Sequence, residues 1–411
     1  MKVKKRKKCI EMDIKNDTII QITEDIRKLI GQSNLDDNEQ NIYKLIEDYI
    51  LSDARMENYS FKVKAVLVRR IYYSVRKDLG ILHPLSEDKD VTEIMVNGKD
   101  HVFVERFGVI EKVNLRFTST EELEELIRRI AGRVHREINE LNPIVDARLP
   151  DGSRVNAVYK NVALNGPSLT IRKFPEKAFS MKDMIGFGTI TEEAAAFLNR
   201  MVVAGENIFI SGGTGSGKTS LLNVLSNYIP KEERIVVIED SAELQLHEIE
   251  NIVRLECRNA NVQGKGLVDM QQLIKASLRM RPNRIIVGEV RGKEVLDMLQ
   301  AFNTGHDGSL STGHGNSISG MLKRLETMVL QAANFPIEAI RNQIAEGIDI
   351  MVHLGRLPDR SRRVLEISEI YGYEQNKYLI NSLFKYEVKR GLVKNDNQLI
   401  NREKLLLRGV K

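Results

Sequence analysis

The chain has 411 residues, of which 42% are hydrophobic and 29% are charged, and its net charge is only +5. This length and composition favour a globular protein of about two or three domains, and charges that are spread along the chain give little support to nucleic-acid binding. Two cysteines without a C-x-x-C pair argue against a disulfide framework or a cysteine zinc site, and the sequence shows neither a signal-peptide core nor an apolar run of about 18 residues that could span a membrane.

The chain begins with a strongly basic stretch. Residues 1–24 are therefore predicted to form a basic flexible arm, which is either simply solvated or attracted to an anionic membrane surface. Over residues 25–86, apolar positions recur at spacings of three and four, as at Ile42, Leu45 and Tyr49. This spacing predicts a helical N-terminal segment.

The next region, residues 87–176, predicts a small α+β domain. Short β-branched runs are separated by turn signals such as Asp151-Gly152. Between these runs, Thr118 or Thr120 is the expected cap of a helix.

The second half of the chain has a different pattern. Residues 177–190 predict a linker, in which Gly186 and Gly188 allow large backbone changes. Residues 191–373 alternate between helices and β-branched strands, which predicts a mainly parallel sheet with helices on both faces. The predicted helices are residues 192–203, 219–228, 267–280, 292–302 and 321–333, and the predicted strands are residues 207–210, 234–238, 285–287, 308–312, 348–354 and 364–371. Residues 374–411 are charged and weakly patterned, and are expected to form a C-terminal tail.

The most specific motif lies between a predicted strand and a predicted helix of this second half. It fits G-x-x-x-x-G-K-[ST], the phosphate-binding P-loop, in which glycines let backbone N–H groups point at phosphate oxygens. Lys218 is expected to reach the β- and γ-phosphates, and Thr219 to bind Mg²⁺. The nucleotide-binding residues that the motif predicts are Gly212, Gly213, Thr214, Gly215, Ser216, Gly217, Lys218, Thr219 and Ser220. A glycine-rich turn that matches by chance is the alternative.

Acidic residues follow two further strands, where the carboxyl ends of a parallel sheet line a ligand crevice. Glu239, Asp240 and Glu243 predict either Mg²⁺ binding and orientation of the attacking water, or the acidic first turn of a helix. Glu289 ends an apolar strand as in a Walker B motif, although Gly288 stands where many P-loop enzymes carry Asp. It is expected to polarise water or to hold the metal, unless it is a solvated strand end.

Two histidines, His306 and His314, lie in one polar segment among glycines and hydroxyls. An imidazole near the γ-phosphate can sense it by hydrogen bonding, and the alternative is a turn histidine with local hydrogen bonds. Arginines are the remaining candidates, because a planar guanidinium suits phosphoryl charge, although most surface arginines are merely solvated. They are Arg148, Arg154, Arg172, Arg254, Arg279, Arg281 and Arg291.

These motifs together resemble those of the type II/IV secretion system ATPase family. Residues 238–244 (IEDSAEL) resemble the Asp box of that family, residues 286–291 (IVGEVR) its Walker B motif without aspartate, and residues 303–316 its His box. Within the family, the chain most resembles the CpaF-type ATPases of Flp/Tad (type IVb) pilus assembly, through residues 278–284 and 146–156. The four-cysteine zinc module that related extension ATPases usually carry is absent from the sequence.

The resemblance implies a hexameric ring in which a RecA-like P-loop domain is preceded by a smaller, PAS-like α+β domain. Each nucleotide would lie between the two domains, with Arg148, Arg154 or Arg172 approaching the γ-phosphate. ATP and Mg²⁺ would be the cofactors, and closure of the domains on ATP would transmit force. The implied partners are other copies of the chain and inner-membrane platform proteins. The catalytic residues predicted in this way are Lys218, Glu243, Glu289, His314 and Arg154, and the predicted metal ligands are Thr219, Glu239, Asp240 and Glu289.

We therefore expect an α/β protein that acts as a cytoplasmic ATPase motor at the inner face of the membrane and binds no nucleic acid directly. Two alternatives remain open. One is an ATP-driven nucleic-acid translocase, against which the aromatic content of 6% argues, or a conjugation-type secretion ATPase. The other is a scaffold that binds nucleotide without hydrolysing it, against which the intact Lys218 and Glu289 argue.

Overall fold

The structure is a computed structural model that describes two compact units of the chain. The described residues are 14–32, 38–134, 136–174, 178–246, 248–258, 260 and 265–410. The first unit spans Met1–Pro175 and the second spans Glu176–Lys411.

The first unit begins with a helical cluster. Its elements are α1 (Asn16–Gln32), α2 (Glu39–Ser52), α3 (Phe61–Arg76) and α4 (His83–Glu87), with single 3₁₀ turns at Ala54–Met56 and Gly80–Leu82. Isoleucines spaced by three and four residues form a stripe on α1 and on α2, and Ile22, Ile26, Ile46 and Ile50 of these stripes are fully buried in a common core. Burial of this stripe holds the short helices together, since helices of this length are marginal alone in water.

The arm predicted for residues 1–24 differs from the structure over its second half. Residues 1–13 lie outside the described residues, but α1 already begins at Asn16. Its first turns bury Ile19 and Ile22 in the helical core, so hydrophobic packing extends further towards the N-terminus than the basic composition indicates.

The rest of the first unit is an antiparallel sheet with one helix. The strands are β1 (Val91–Asn97), β2 (Val102–Arg106), β3 (Val109–Lys112), β4 (Ile144–Arg148), β5 (Arg154–Val158) and β6 (Ser168–Arg172), in the order β3-β2-β1-β6-β5-β4. Helix α5 (Thr120–Arg133) packs on one face of this sheet, where Leu126 and Ile130 share a core with Ile94 and Ile171.

The cap of α5 differs from the sequence expectation. Ser119, rather than Thr118 or Thr120, accepts the backbone N–H of Glu122 through its side chain, at 3.2 Å. Thr118 instead donates its backbone N–H and its hydroxyl to the Glu122 carboxylate, each at 2.6 Å. Residues 118, 119 and 122 are thus joined by hydrogen bonds at the start of the helix. Because residues 118–120 all carry hydroxyl groups, the sequence alone does not show which of them is the cap.

The second unit is built on a nine-stranded sheet. Its strands are β7 (Ile208–Gly212), β8 (Ile235–Glu239), β9 (Ile252–Glu256), β10 (Arg284–Val290), β11 (Leu310–His314), β12 (Ile350–Arg356), β13 (Arg362–Glu374), β14 (Lys377–Glu387) and β15 (Gly391–Lys394). The order is β15-β14-β13-β12-β7-β11-β10-β8-β9; the six strands from β12 to β9 are parallel, and β13 to β15 extend the sheet in antiparallel fashion.

Helices cover both faces of this sheet. They are α6 (Met181–Gly186), α7 (Glu192–Ala204), α8 (Lys218–Ser226), α9 (Met270–Ser277), α10 (Val295–Phe302), α11 (Ile318–Ala332), α12 (Ile337–Gly347) and α13 (Glu403–Leu407). Alternate residues of β7 serve the two layers: Ile208 and Ile210 pack with Leu221 of α8, and Phe209 packs with Met321 of α11. Strand β7 is therefore buried on both faces, as its unbroken apolar pattern predicts. In the part of the chain that the structure describes, no helix is both long and apolar enough to cross a membrane.

Several elements of the second unit are absent from the sequence prediction. Within the predicted linker, α6 starts with a capping box formed by Ser180 and Asp183, and it buries Met181 and Met184 in the core. The predicted tail contributes β14, β15 and α13, and β9 and α12 were also missed. Strand β9 lies at a sheet edge and β14 lies next to the other edge, and both mix apolar with polar or charged residues, so their patterns resemble those of solvated segments.

The amino edge of the sheet carries buried charges that pair with each other. Arg284, the first residue of β10, is fully buried and bonds both oxygens of Glu233. Arg408 donates to the same carboxylate at 2.6 Å. Burial pushes the pKa of Glu233 upward, but the hydrogen bonds and charges of the two arginines outweigh it and hold the pKa below its usual value. A side chain at Gly308 would place its Cβ 2.4 Å from Arg284 Nη1, so glycine is required there.

A second cluster at this edge anchors the end of the described chain. Lys404 Nζ lies 2.6 Å from Asp349 and 3.1 Å from Asp307, next to the starts of β12 and β11. Glu206 lies 4.0 Å away, and burial together with the Asp349 charge raises its pKa well above the usual range. Lys404, which is distant in sequence from Glu206, Asp307 and Asp349, therefore supplies the cation for these acids.

We expect Arg284→Ala to lower the free energy of unfolding of the second unit by about 3 kcal/mol, because removing one partner of a buried ion pair leaves the other charge poorly compensated. Urea denaturation followed by circular dichroism measures this loss. Arg279→Ala, at an exposed position, is the control and should change stability by less than about 0.5 kcal/mol. Equal effects of the two substitutions would contradict a structural role for the Arg284 network.

Candidate nucleotide-binding site

The parallel register brings the predicted motifs to one edge of the sheet. His314 of β11 pairs with Gly212 of β7, and Val290 of β10 pairs with Gly313. Strand β8, which ends at Glu239, pairs with β10 on the other side. Because all four strands run in the same direction, the P-loop, the acidic strand ends and the histidine lie together.

The P-loop has the open backbone that phosphate binding needs. A Cβ at Gly212 would lie 2.6 Å from the carbonyl oxygen of Leu354, so the loop leaves the sheet where no side chain fits. Beyond this point, Gly213 and Gly215 are exposed and face open space. Helix α8 then starts at Lys218 without a side-chain cap, which leaves its first N–H groups directed towards the loop. These features fit an anion, and the nucleotide-binding role of residues 212–220 stays a prediction.

A chain of contacts connects the P-loop lysine to the Walker B acid. Lys218 Nζ donates to the Gly213 carbonyl at 3.1 Å and lies 3.4 Å from His314 Nδ1. His314 Nε2 lies 2.7 Å from Glu289 Oε1. Arg291 donates to the other Glu289 oxygen at 2.9 Å. His314 therefore separates the lysine charge from the carboxylate and can contact both.

Electrostatics favour the neutral form of His314. Burial, and then the Lys218 charge, lower the pKa of His314, whereas Glu289 opposes the shift. Burial likewise lowers the pKa of Lys218, against the attraction of Glu289. In neutral His314, Nδ1 can accept from Lys218, at 3.4 Å. Nε2 lies close to Glu289 Oε1, but the two atoms are not aligned for a hydrogen bond, and among the described residues this buried oxygen has no hydrogen-bond partner.

Glu239 is engaged with the backbone of the following loop. Its Oε1 accepts the N–H groups of Glu243 and Leu244, at 2.8 and 3.0 Å. The side chain is buried, and burial raises its pKa even though these hydrogen bonds act in the opposite direction. Glu239 thus shapes the loop, and the metal role predicted for it rests on its second oxygen. Asp240 is exposed, and its carboxylate lies 3.6 Å from Arg291 Nη1.

The structure gives a reason for Gly288 in the Walker B position. A Cβ at Gly288 would lie 3.1 Å from Cγ of Glu239 on the neighbouring strand. The Gly288 carbonyl also accepts the hydroxyl of Thr312 at 2.8 Å. An aspartate at position 288 would therefore crowd the buried Glu239, which occupies the space beside it.

The carboxylates at this edge fit Mg²⁺ only together with phosphate ligands. Among the described residues, no group of three or more His, Cys, Asp or Glu side chains is arranged to hold a metal ion. Mg²⁺ commonly takes one or two protein ligands and completes its shell with water and substrate phosphates. Thr219, in the first turn of α8, and the acids Asp240 and Glu289 are compatible with that mode.

Other predicted residues lie elsewhere. His306 precedes β11, at the amino edge, and its Nδ1 lies 3.0 Å from the Ala301 carbonyl, so it belongs to a local turn. Arg254 donates to the carbonyls of Leu244 and Leu246 and supports the loop that follows Glu239.

The three arginines of the first unit form one row. Arg148 pairs with Arg154, and Arg154 pairs with Arg172, across adjacent strands β4, β5 and β6. Their neighbours Val155 and Ile171 point into the core, so the arginines lie on the opposite, solvent-facing side of the sheet. Like charges directly opposite one another are unfavourable in a sheet, and Glu93 pairs with Arg172 at the end of the row. Such a row suits an anionic ligand.

Arg362 at the start of β13 is a site residue that the sequence does not indicate. Its Nε donates to the Gly215 carbonyl of the P-loop at 2.9 Å. Position 362 is far from the motif in sequence and lies in a charged stretch that resembles a solvated turn. The pairing of β12 with β7 creates the contact, and no local pattern records that pairing.

Comparison with known proteins gives consistent matches. A family model described as "Type II/IV secretion system protein" matches residues 75–380. The probable conjugal transfer protein TrbB of Sinorhizobium fredii is 35% identical over 322 residues, which cover 77% of this chain and 93% of that protein. An uncharacterized protein of Methanocaldococcus jannaschii is 40% identical over 314 residues, 73% of this chain but only 42% of that longer protein. The X-ray structure of the ATPase DotB from Legionella pneumophila matches with a TM-score of 0.52 and 21% identity over 72% of this chain and 81% of its own, which shows a shared fold.

We expect His314 to titrate below the ordinary histidine value of about 6.5. Lys218→Met should raise the pKa of His314, because a nearby cation is lost, and Glu289→Gln should lower it further, because the opposing anion is lost. Since the folded-state pKa lies below that of the unfolded chain, His314 contributes stability above about pH 6.5 that is lost as the pH falls through the folded pKa. Histidine ring NMR measures these shifts. Lys231→Met, at an exposed lysine, is the control, and a His314 pKa that ignores both Lys218 and Glu289 would contradict the contact chain.

Proposed function

This chain belongs to the type II/IV secretion system protein family, and from that premise we propose that it is a Mg²⁺-dependent ATPase that powers a secretion or pilus-assembly machine. Its α/β second unit has the RecA-like fold of secretion ATPases. The observation that carries the proposal is the contact chain from Lys218 through His314 to Glu289 beside an open P-loop. Lys218 and Glu289 lie on either side of one imidazole, which supports a role for the lysine in binding phosphate and for the carboxylate in orienting water.

In this proposal each residue has a separate task. Lys218 and the uncapped start of α8 bind the β- and γ-phosphates and neutralise their charge. Glu289, oriented by Arg291 and His314, accepts a hydrogen bond from the attacking water and aligns it with the γ-phosphorus. When bound, Mg²⁺ neutralises phosphate charge, and Thr219 together with the nearby acids would hold it, partly through water.

Glu243 and Glu239 play supporting parts in the same scheme. Glu239 fixes the turn through the backbone of residues 243 and 244. That turn presents Glu243 on the side of Arg291, whose pKa it helps to raise after the larger effects of Glu289 and Asp240. We assign Glu243 to the water and metal shell, as the second carboxylate of the site.

Force generation is assigned to closure of the first unit on the nucleotide. The row Arg148–Arg154–Arg172 supports this assignment, because three stacked cations suit a phosphate that carries the transition-state charge. In a homo-hexamer, each site would be completed by this arginine row and a P-loop. The two parts would come either from one chain or from two neighbouring chains. The N-terminal α+β domain is proposed to be PAS-like, and the machine's inner-membrane platform proteins are proposed to receive the force while the ATPase stays at the cytoplasmic face.

Two alternatives are proposed for the type of machine. The sequence motifs at residues 146–156 and 278–284 favour assembly of a Flp/Tad (type IVb) pilus. The relative named as a conjugal transfer protein supports a conjugation-type secretion ATPase equally well. A DNA-stimulated ATPase assay separates the two, since a motor that acts on pilin platforms should show no stimulation by DNA.

We expect Lys218→Ala to abolish ATP hydrolysis and to weaken nucleotide binding, because the phosphates lose their buried cation. Glu289→Gln should retain ATP binding and lose hydrolysis, because the amide keeps the shape but not the charge. Phosphate release and calorimetric titration with ATP measure the two effects. Lys231→Ala is the control, and turnover of the Lys218 variant within a few fold of the unmodified protein would refute the assignment.

We expect Arg154→Ala to lower kcat by at least about tenfold, while ADP affinity changes little, because ADP lacks the γ-phosphate that the arginine row would contact. Steady-state kinetics and ADP titration measure this difference. Arg69→Ala, at an exposed position on α3, serves as the control. Equal losses of ADP and ATP affinity with unchanged kcat would show that Arg154 has a structural role instead.

A further inference from the structure

The hairpin of β12 and β13 lies directly against the P-loop. Leu354 of β12 pairs with Gly212 of β7, and Arg362 lies across the hairpin from Arg356. The turn between them is fixed, because Asp359 accepts both the N–H and the hydroxyl of Ser361. The start of β13 is therefore held at the mouth of the P-loop by backbone pairing.

The Arg362 side chain lies against the P-loop. Its Cδ lies 3.7 Å from where a Cβ of Gly217 would be, and its Nε donates to the Gly215 carbonyl at 2.9 Å. These two glycines flank Ser216, so the guanidinium lies next to the stretch whose N–H groups surround phosphate.

Most of the donors on this guanidinium are still available. Among the described residues, neither Nη1 nor Nη2 of Arg362 has a hydrogen-bond acceptor or a carboxylate partner, and the side chain is exposed. Its neighbour Arg363 differs, because Nη1 of Arg363 donates to the carbonyls of Phe187 and of Arg362. Only one of two adjacent arginines thus presents its forked end beside the P-loop.

A guanidinium that is fixed through Nε presents its terminal nitrogens in a set plane. Such a fork matches two phosphate oxygens better than an ammonium does. If Arg362 only stabilised the loop, the hydrogen bond of Nε would suffice, and the terminal nitrogens Nη1 and Nη2 would have no role.

We propose that Arg362 is a phosphate-binding residue that contacts the phosphate chain of the nucleotide from the same unit as the P-loop. The contact is common to ADP and ATP, and it is distinct from the arginine row of the first unit. This inference rests on the proposed function, since it needs a nucleotide at residues 212–220.

The test uses the full chain and two probes, Mg-ADP and inorganic pyrophosphate, with binding measured by calorimetry. Arg362→Ala and Arg362→Lys should each weaken both probes about tenfold, as expected for loss of a charge-assisted contact. Lysine can still donate to the Gly215 carbonyl, so amide hydrogen exchange over residues 212–219 without nucleotide should match the unmodified protein in the lysine variant. Arg363→Ala, which removes the same charge one residue away, should bind both probes normally.

Three results would overturn the proposal. Full affinity in Arg362→Lys would show that Arg362 only braces the loop. Weaker ADP binding with unchanged pyrophosphate binding would place the contact on the nucleoside. An equal loss of affinity for the probes in Arg363→Ala would show that the effect comes from net charge alone. If the unmodified protein binds neither probe, the proposed function fails as well, and this outcome is distinct from the other three.

Discussion

The parallel alignment of β7, β11, β10 and β8 is the constraint on which the site depends. Their hydrogen-bond register sets the P-loop, His314, Glu289 and Glu239 at the same edge, although these residues come from four separate segments. A shift of one residue in a strand would turn its side chains to the other face. The apolar packing on both faces of β7 therefore fixes the chemistry as well as the fold.

The two edges of the sheet use charge in different ways. At the amino edge, Arg284 and Glu233 are buried and bonded to each other, so their charges serve stability. At the carboxyl edge, Lys218 is buried, and among the described residues its ammonium group contacts a carbonyl and an imidazole that favours its neutral form. A cation kept without a direct carboxylate partner is costly for the folded state and suited to binding an anion. We interpret this contrast as the separation of stability from function within one sheet.

The sequence was sufficient where the determinants are local. The P-loop is contiguous, and the alternation of apolar runs and helices predicts the parallel sheet, so both could be read without a structure. Contacts that depend on strand order could not. His314 lies between Lys218 and Glu289 because β11 separates β7 from β10, and Arg362 reaches Gly215 because β12 lies on the other side. Likewise, the row Arg148–Arg154–Arg172 exists only through antiparallel register. The edge strand β9 and strand β14, which lies next to the other edge, interrupt their apolar residues with polar or charged ones, unlike fully buried strands.

The clusters around Lys404 and Arg408 have a consequence for synthesis of the chain. Domains fold as the chain emerges, from the N-terminus onward. The first unit can pack while the second is still incomplete, but Glu233 and Asp349 gain these two cations only when the last described helix has been made. Until then, the sheet that carries the P-loop has acidic groups at its amino edge without their full set of partners. The nascent second unit should therefore stay more exposed to misfolding and chaperone binding until residues 404–408 have left the ribosome, which happens after its nucleotide-binding motifs have emerged.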